Sequence, residues 1–185
     1  MFFKSAGLDA ASVTVLNIDV NAMWTSYMAG QGDGVMSIPP YGMALVQKQR
    51  PSQAFLAADY GVPLLGYGLV TREEEIASRA AALGKVAQIV TRAWNYLYDG
   101  HEAEGLKAMQ TARPDAKFDP DVVNAALANW RGYFFTPEIK GKPLWLQLDS
   151  EWVAALKTEE TAGLVKPGHT TSEFYTNEIV DKINQ

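Results

Sequence analysis

Hydrophobic positions in the first third of the chain form short runs, separated by polar and glycine-containing breaks. Residues 13–18 are rich in β-branched side chains and predict a buried strand that ends at Asp19. The spacing over residues 21–29 predicts a helix, which Gly30 closes. The predicted elements that follow are a strand over 34–38, a helix around 41–47, and strands over 53–57 and 64–70. This alternation is typical of a parallel α/β sheet.

After residue 70 the pattern becomes mostly helical. Thr71-Arg-Glu-Glu74 has the spacing of a capping box with Thr71 as the N-cap. An apolar stripe then predicts a helix that packs on one face: Val86, Ile89, Val90, Ala93, Trp94 and Leu97. Asp119-Pro120 predicts the start of another helix, running to about Trp130. Further helices are predicted over 101–113, from Ser150 to about Gly163, and over 172–183.

Composition favours a folded domain and excludes several kinds of site. The chain has 185 residues, of which 48% are hydrophobic, so it is long enough to bury a core. A net charge of −5 without a basic cluster argues against nucleic acid as the main partner. Because there is no cysteine, zinc–thiolate sites, iron–sulfur clusters and thiol nucleophiles are excluded. With only two histidines, a site built mainly of His ligands is not expected, and no cofactor or metal is predicted.

Two motifs resemble functional sites without meeting their requirements. Gly66-Tyr-Gly68 lies inside a predicted strand, whereas a dinucleotide fingerprint needs its glycines after the strand. Three glutamates follow, and their charge would repel a phosphate. His101 lies at a helix start beside acidic residues and reads as part of a solvated helix end. His169 follows Pro-Gly and reads as a loop residue.

Candidate ligand contacts follow the first two predicted strands. Asp19 and Ser37 lie where these strands end, and ligands of open α/β sheets collect outside those ends. Trp24 and Tyr41 could supply flat apolar walls with polar edges. The structural alternative is that Trp24 and Tyr41 belong to the core, while Pro39 only ends the strand.

Three stretches resemble the solute-binding proteins of ABC importers, in the group that handles alkanesulfonate, taurine, nitrate and thiamine-precursor pyrimidines. The first is Tyr27-Met-Ala-Gly30-Gln-Gly-Asp33-Gly-Val-Met, although the family usually has Ala where Gly34 stands. The second is Gly66-Tyr-Gly-Leu-Val-Thr71-Arg-Glu-Glu. The third is Gly163-Leu-Val-Lys-Pro-Gly followed by Phe174-Tyr-Thr-Asn177-Glu-Ile-Val180. Their order and spacing extend across nearly the whole chain.

The resemblance implies a periplasmic-binding-protein type II-like fold of two α/β lobes with ligand in the cleft between them. Residues 1–60 would be part of the second lobe, and residues 61–185 a helix-rich part of the first. It also implies a periplasmic location and delivery of the ligand to an ABC permease. The ligand positions carried by the resemblance and the strand ends are Asp19, Asn21, Trp24, Ser37, Pro39, Tyr41, Asp59 and Tyr60.

The resemblance leaves open whether this chain still binds a solute, because proteins of this family are considerably longer. The chain would correspond to their C-terminal portion, either as a fragment, a mis-started reading frame or a natural short form. The stripe at residues 86–97 and the apolar face at residues 122–130 would then lack most of the sheet they should cover. We therefore expect a homo-oligomer. A binding module is the first hypothesis, an inactive fragment the second, and an enzyme of the hydrolase or thiamine-precursor synthase type the third.

Overall fold

The computed structural model describes residues 1–134 and 137–183, without the side chains of Pro39 and Tyr41. Helices account for the regular structure of these residues: α1 (Phe2–Ser5), α2 (Met23–Met28), α3 (Pro39–Val46), α4 (Glu73–Ser78), α5 (Ala80–Tyr96), α6 (Glu102–Ala112), α7 (Pro120–Phe134), α8 (Asp149–Thr161) and α9 (Glu178–Ile183). Three short 3₁₀ turns lie at Ala10–Ser12, Ala57–Tyr60 and Thr171–Glu173, and a π-helical turn spans Leu97–His101.

None of the four predicted strands forms within the described ranges. Residues 13–18, 34–38 and 64–70 are not part of any strand, and residues 53–57 run into the 3₁₀ turn at Ala57–Tyr60. Their apolar side chains are largely exposed, as at Val15 (73%) and Val70 (97%). A strand needs a neighbour that completes its backbone hydrogen bonds, and no described segment supplies one. The parallel α/β sheet is thus not observed, and the two-lobe arrangement remains a prediction.

The helix predictions are largely confirmed. The helix after Asp19 is α2, and Gly30, with φ of 80°, follows its C-terminus as predicted. The helix around residues 41–47 is α3, which begins earlier, with Pro39 and Pro40 in its first turn. The helices predicted over 101–113 and from Ser150 are α6 and α8. In α7, the Asp119 carboxylate accepts the backbone N–H of Asp121 at 2.9 Å, which is the predicted N-cap contact.

The predicted capping box at Thr71 is wrong. The N-cap of α4 is Arg72, and it makes no side-chain capping hydrogen bond. The Arg72 guanidinium instead lies 3.4 Å from Glu74 and 2.7 Å from Glu75. Because Arg72 engages the Glu74 carboxylate, the reciprocal contact that defines a capping box does not form. A capping box is present elsewhere, between Thr170 and Glu173.

The predicted stripe on α5 packs only in part. Val86 and Ile89 are 49% and 56% exposed, whereas the small residues Gly84 and Ala87 are buried. A Cβ added at Gly84 would lie 2.9 Å from the side chain of Ile183, so the missing side chain makes room for α9. The small residue at position 84 allows this close approach, whereas Val86 and Ile89 of the predicted stripe stay about half exposed.

The predicted helix over residues 172–183 is interrupted. It consists of the 3₁₀ turn Thr171–Glu173 and helix α9, with an irregular stretch between them. Asn177 lies in this stretch, where its side chain accepts the N–H of Gln147 at 2.9 Å and donates to the Gln147 carbonyl at 3.0 Å. The paired contact holds the chain out of the helix at this point.

The chain divides into two compact units. The first unit contains Met1–Ser12, Phe55–Trp94 and Gly141–Gln185, and the second contains Val13–Ala54 and Asn95–Lys140. The core of the second unit is the pair α3 and α7, in which Ala44, Val122 and Ala126 form one buried cluster. The apolar face of α7 is therefore covered by α3, contrary to the expectation that it would be left open. The division into lobes at residues 60 and 61 stays a prediction.

Candidate functional site

Six of the eight predicted ligand positions lie in the second unit, and the first two form a turn. The backbone N–H of Asn21 donates to the Asp19 carboxylate at 2.9 Å, and both residues are exposed. Side chains of Asp and Asn stabilise such turns by bonding to the backbone two residues on. The turn leads directly into α2 and leaves part of the Asp19 carboxylate open to solvent.

Trp24 connects this turn to α3. Its indole ring lies directly against Gly42, where any Cβ would overlap the ring. Gly42 is buried and Trp24 half-buried. The sequence left two roles open for Trp24, contact with a ligand and packing in the core. The contact with Gly42 shows that Trp24 has a packing role. The contact brings the N-terminal half of α3 against α2.

Ser37 precedes α3 and is exposed, without a hydrogen bond to another described residue. The N-cap of α3 is Ile38, whose side chain cannot cap, and two prolines occupy the first turn. The Pro40 carbonyl accepts a hydrogen bond from the Asn129 side chain at 3.0 Å, which fixes this turn to α7. The side chains of Pro39 and Tyr41 are outside the description, so the predictions for them stay predictions.

Asp59 and Tyr60 belong to the first unit. They lie in the 3₁₀ turn Ala57–Tyr60, which Gly61 ends with φ of 72°. Asp59 is exposed, and the Tyr60 ring packs edge-on against Phe2, with ring centroids 5.1 Å apart. Tyr60 is thus partly occupied by a packing contact within its own unit.

A polar cluster around Arg50 was not anticipated from the sequence. One guanidinium nitrogen donates to the carbonyls of Tyr27 at 2.6 Å and Gly32 at 2.8 Å. The guanidinium also lies 4.2 Å from the centre of the Tyr27 ring, whose hydroxyl is 2.9 Å from Ser52. A cation at these carbonyls complements the C-terminal end of α2. No sequence motif marks Arg50, because its partners are backbone oxygens 18 and 23 positions away.

Electrostatic contacts anchor α7, which supports α3. The Lys48 ammonium lies 2.9 Å from Asp121 and 3.4 Å from Asp119. Hydrogen bonds from the backbone N–H groups of Asp121 and Val122, together with Lys48, lower the pKa of Asp119. Exposed ion pairs of this kind contribute little to stability, so the N-cap contact is the more important role of Asp119.

Burial raises the pKa of Tyr98 to about 12, in the same unit. Its hydroxyl donates to the Leu127 carbonyl on α7 at 3.0 Å, and the Arg131 guanidinium lies 5.4 Å from its ring centre. The phenol remains protonated at any physiological pH. It serves as a hydrogen-bond donor that ties the turn after α5 to α7.

Both histidines have structural partners within the chain. The sequence predicted a helix-end position for His101 and a loop position for His169, without a functional role for either. The His101 ring stacks on Tyr96 with centroids 3.9 Å apart, and its Nδ1 lies 3.1 Å from the Tyr96 carbonyl. His169 lies 2.8 Å from Glu173. Within the described ranges, no group of three or more His, Asp or Glu side chains is arranged to hold a metal ion.

The second unit therefore carries three of the predicted features: the turn at Asp19 and Asn21, Trp24 in contact with Gly42, and the exposed Ser37 before α3. We call these residues together the 19–42 surface. Their described side chains include one carboxylate, one amide, one hydroxyl and one aromatic ring. No nucleophile–base pair is formed by these described side chains.

Comparison with known proteins identifies the chain at the level of a family. A family model described as "NMT1/THI5 like" matches residues 2–103, and this range contains all eight predicted ligand positions. No curated protein and no solved structure matches the chain. None of the helices in the described part is long and apolar enough to span a bilayer. The match covers more than half of the sequence and confirms the resemblance: this chain belongs to the NMT1/THI5-like family, a family of ABC solute-binding proteins for nitrate, sulfonates and thiamine precursors.

Proposed function

We infer that the protein binds a small organic solute through the 19–42 surface. The observation that carries this proposal is the family match, because it covers the whole of that surface. The solute classes that fit are sulfonates, pyrimidines and aromatic acids, since each has a polar group and an apolar or flat body. Trp24 provides the apolar contact, and Asp19, Asn21 and Ser37 provide polar contacts.

The charge of the surface refines the choice among these solutes. Its described ionisable side chain is a carboxylate, and the Arg50 guanidinium in the same unit is already engaged by two carbonyls. A solute with hydrogen-bond donors, such as an aminopyrimidine or the ammonium end of taurine, would pair with Asp19. Nitrate offers no such donor, so we rank it last.

A thermal-shift screen with taurine, alkanesulfonates, nitrate, aminopyrimidines and aromatic acids tests the proposal. A solute that binds only the folded chain raises its unfolding midpoint in a concentration-dependent way. Asp19→Asn should abolish the shift, because the amide keeps the turn but removes the charge. Asp9→Asn is the matched control, since Asp9 makes the same turn contact, with Ala11, at 2.9 Å and lies outside the surface.

Three results would contradict the proposal. Flat curves for every solute would favour the second hypothesis, a fragment that folds without binding. Equal loss of the shift in Asp19→Asn and Asp9→Asn would move the binding away from the 19–42 surface. Turnover of a solute that is lost in Ser37→Ala would favour an enzyme, although members of this family are mostly binding proteins without catalytic activity.

The same proposal includes a cellular role. The family is typically periplasmic or extracellular and works with ABC permeases. We propose that this protein is periplasmic and that its partner in a full-length form is the permease of an ABC importer. Co-purification with the permease subunits in the presence of the solute would test this step.

A further inference from the structure

The extended residues 64–70 are the most exposed apolar segment of the first unit. Leu64, Leu69 and Val70 are 67%, 50% and 97% exposed. The described chain provides no backbone hydrogen bond for residues 64–66 or 68–70. An extended backbone of this kind is a template for pairing with another strand.

The total exposed surface indicates that a large interface is missing. The chain exposes 13110 Å² for a mass of 20.3 kDa. Two entirely separate compact bodies of half this mass would together expose only about 10,600 Å² by the scaling of folded surface with mass. The excess is roughly 2,500 Å² per chain, or about 5,000 Å² for two copies, which is at the upper end of the range that obligate homodimers bury. It does not depend on how the two units are arranged.

The sequence of the segment indicates which partner fits it. Residues 64–70 read Leu-Leu-Gly-Tyr-Gly-Leu-Val, which is nearly palindromic about Tyr67. In an antiparallel pair of two such segments, Leu65 would face Leu69, and Gly66 would face Gly68. Leu64 would face Val70, and Tyr67 would face itself. Such self-complementarity is what a two-fold interface requires.

We propose that residues 64–70 form a dimerisation strand, pairing antiparallel with the same segment of a second copy across a two-fold axis at Tyr67. The aliphatic pairs and the central tyrosine pair supply favourable cross-strand contacts. The space beside both glycines is open, so a second strand can approach there. A Cβ at Gly66 would meet nothing within 4 Å, and one at Gly68 would meet only the Gln147 side chain, at 3.9 Å. This pairing is independent of solute binding.

A two-stranded ribbon alone is only marginally stable in water, and packing against a helix is needed. A groove of about 510 Å³ at the end of the segment supplies that support. Val70, Leu83 and Val86 are among its lining residues. Because Leu64 of the second copy would lie opposite Val70, it would reach the mouth of this groove. The dimer would thereby cover Val86, one of the exposed residues of the α5 stripe.

Sedimentation of the wild-type chain at micromolar concentration should give twice the mass of one chain. Tyr67→Glu places two like charges directly opposite each other and should halve that mass. Leu164→Glu is the matched control, because Leu164 is 75% exposed in the same unit but outside the segment. It should leave the dimer intact. A monomeric wild type, or a Tyr67→Glu variant that remains dimeric, overturns the proposal.

A single-cysteine variant tests the register without requiring Tyr67→Glu to fold. The chain has no native cysteine, and directly opposed residues in an antiparallel pair have Cα atoms about 4.5–5.5 Å apart, within disulfide range. Tyr67→Cys should therefore cross-link with itself under mild oxidation. Val15→Cys, equally extended and 73% exposed, is the control. Cross-linking of Tyr67→Cys should be at least about tenfold faster than that of Val15→Cys, because thiols held opposite each other have a high effective concentration. Equal rates for the two variants would overturn the proposed register.

Discussion

The helix pair α3–α7 and the extended residues 64–70 contain similar aliphatic side chains but have opposite environments. Val46 and Val122 are 1% and 5% exposed, whereas Leu64 and Val70 are 67% and 97% exposed. The difference lies in how backbone polar groups are satisfied. A helix completes its hydrogen bonds internally, so only its side chains need a partner. An extended segment needs a neighbouring strand before its side chains can be buried, and the described chain does not provide one.

Truncation of a buried leucine should show the largest contrast between these two kinds of region. Leu127 is 7% exposed on α7, and Leu127→Ala should lower the free energy of unfolding by about 2–4 kcal/mol, because it leaves a cavity. Leu164→Ala, at a site that is 75% exposed, should change it by less than about 0.5 kcal/mol. Urea unfolding of both variants measures the difference. Similar losses would mean that α7 does not carry the core.

A smaller effect should follow from adding one methyl group to the α2–α3 contact. Gly42→Ala would force the Trp24 ring to move, at a cost of about 1–3 kcal/mol for overpacking. Gly132→Ala on α7 is the control, because a Cβ there meets nothing within 4 Å. It should stabilise the helix by up to about 1 kcal/mol. Thermal unfolding compares the two, and a stabilised Gly42→Ala would contradict the packing of Trp24.

The two predicted helix caps give a more modest comparison. Asp119→Ala removes the acceptor for the first N–H groups of α7 and should lower Tm by about 2–4 °C. Thr71→Ala should leave Tm unchanged, because Thr71 does not cap α4. Calorimetry of the two variants side by side measures this. A drop for Thr71→Ala equal to that for Asp119→Ala would restore the capping box predicted from the sequence.

The smallest effect concerns the pH dependence of the turn at Thr170. A backbone hydrogen bond from Thr170, with help from His169, lowers the pKa of Glu173 from 4.5 to about 2. Since the pKa is lower in the folded chain, the stabilisation is complete above pH 4.5 and is lost as the pH falls towards 2. Titration of the Glu173 carboxyl by NMR should give a midpoint near 2. In Glu173→Gln, the corresponding change in Tm between these pH values should be reduced.

The sequence predicted those parts of the fold whose signals are local. The Asp119-Pro120 start, the apolar face of α7 and the glycine after α2 need only neighbouring residues, and all are confirmed. The strands at residues 13–18 and 64–70 were predicted from side-chain type alone, and pairing partners lie beyond such a signal. The Thr71 motif failed because Arg72 competes for the same carboxylates, which spacing cannot reveal.

In the candidate site, too, local features could be predicted from the sequence and long-range contacts could not. The turn at Asp19 and Asn21 could be predicted, because an Asp side chain and an N–H two residues later are enough to form it. The Trp24–Gly42 contact and the Arg50 cluster depend on how separate segments meet in space. Nothing in the pattern around residue 50 distinguishes an arginine that binds two carbonyls from one on a solvated surface.

The Arg50 cluster has a consequence for affinity. Its guanidinium holds the carbonyls of Tyr27 and Gly32, so the loop that leads towards Ser37 is fixed at both of these points. Ordering a loop when a ligand arrives consumes part of the interaction energy. Here that entropy is lost during folding instead. A solute that reaches this face meets a preorganised loop, and a larger share of each contact it makes can appear as binding strength.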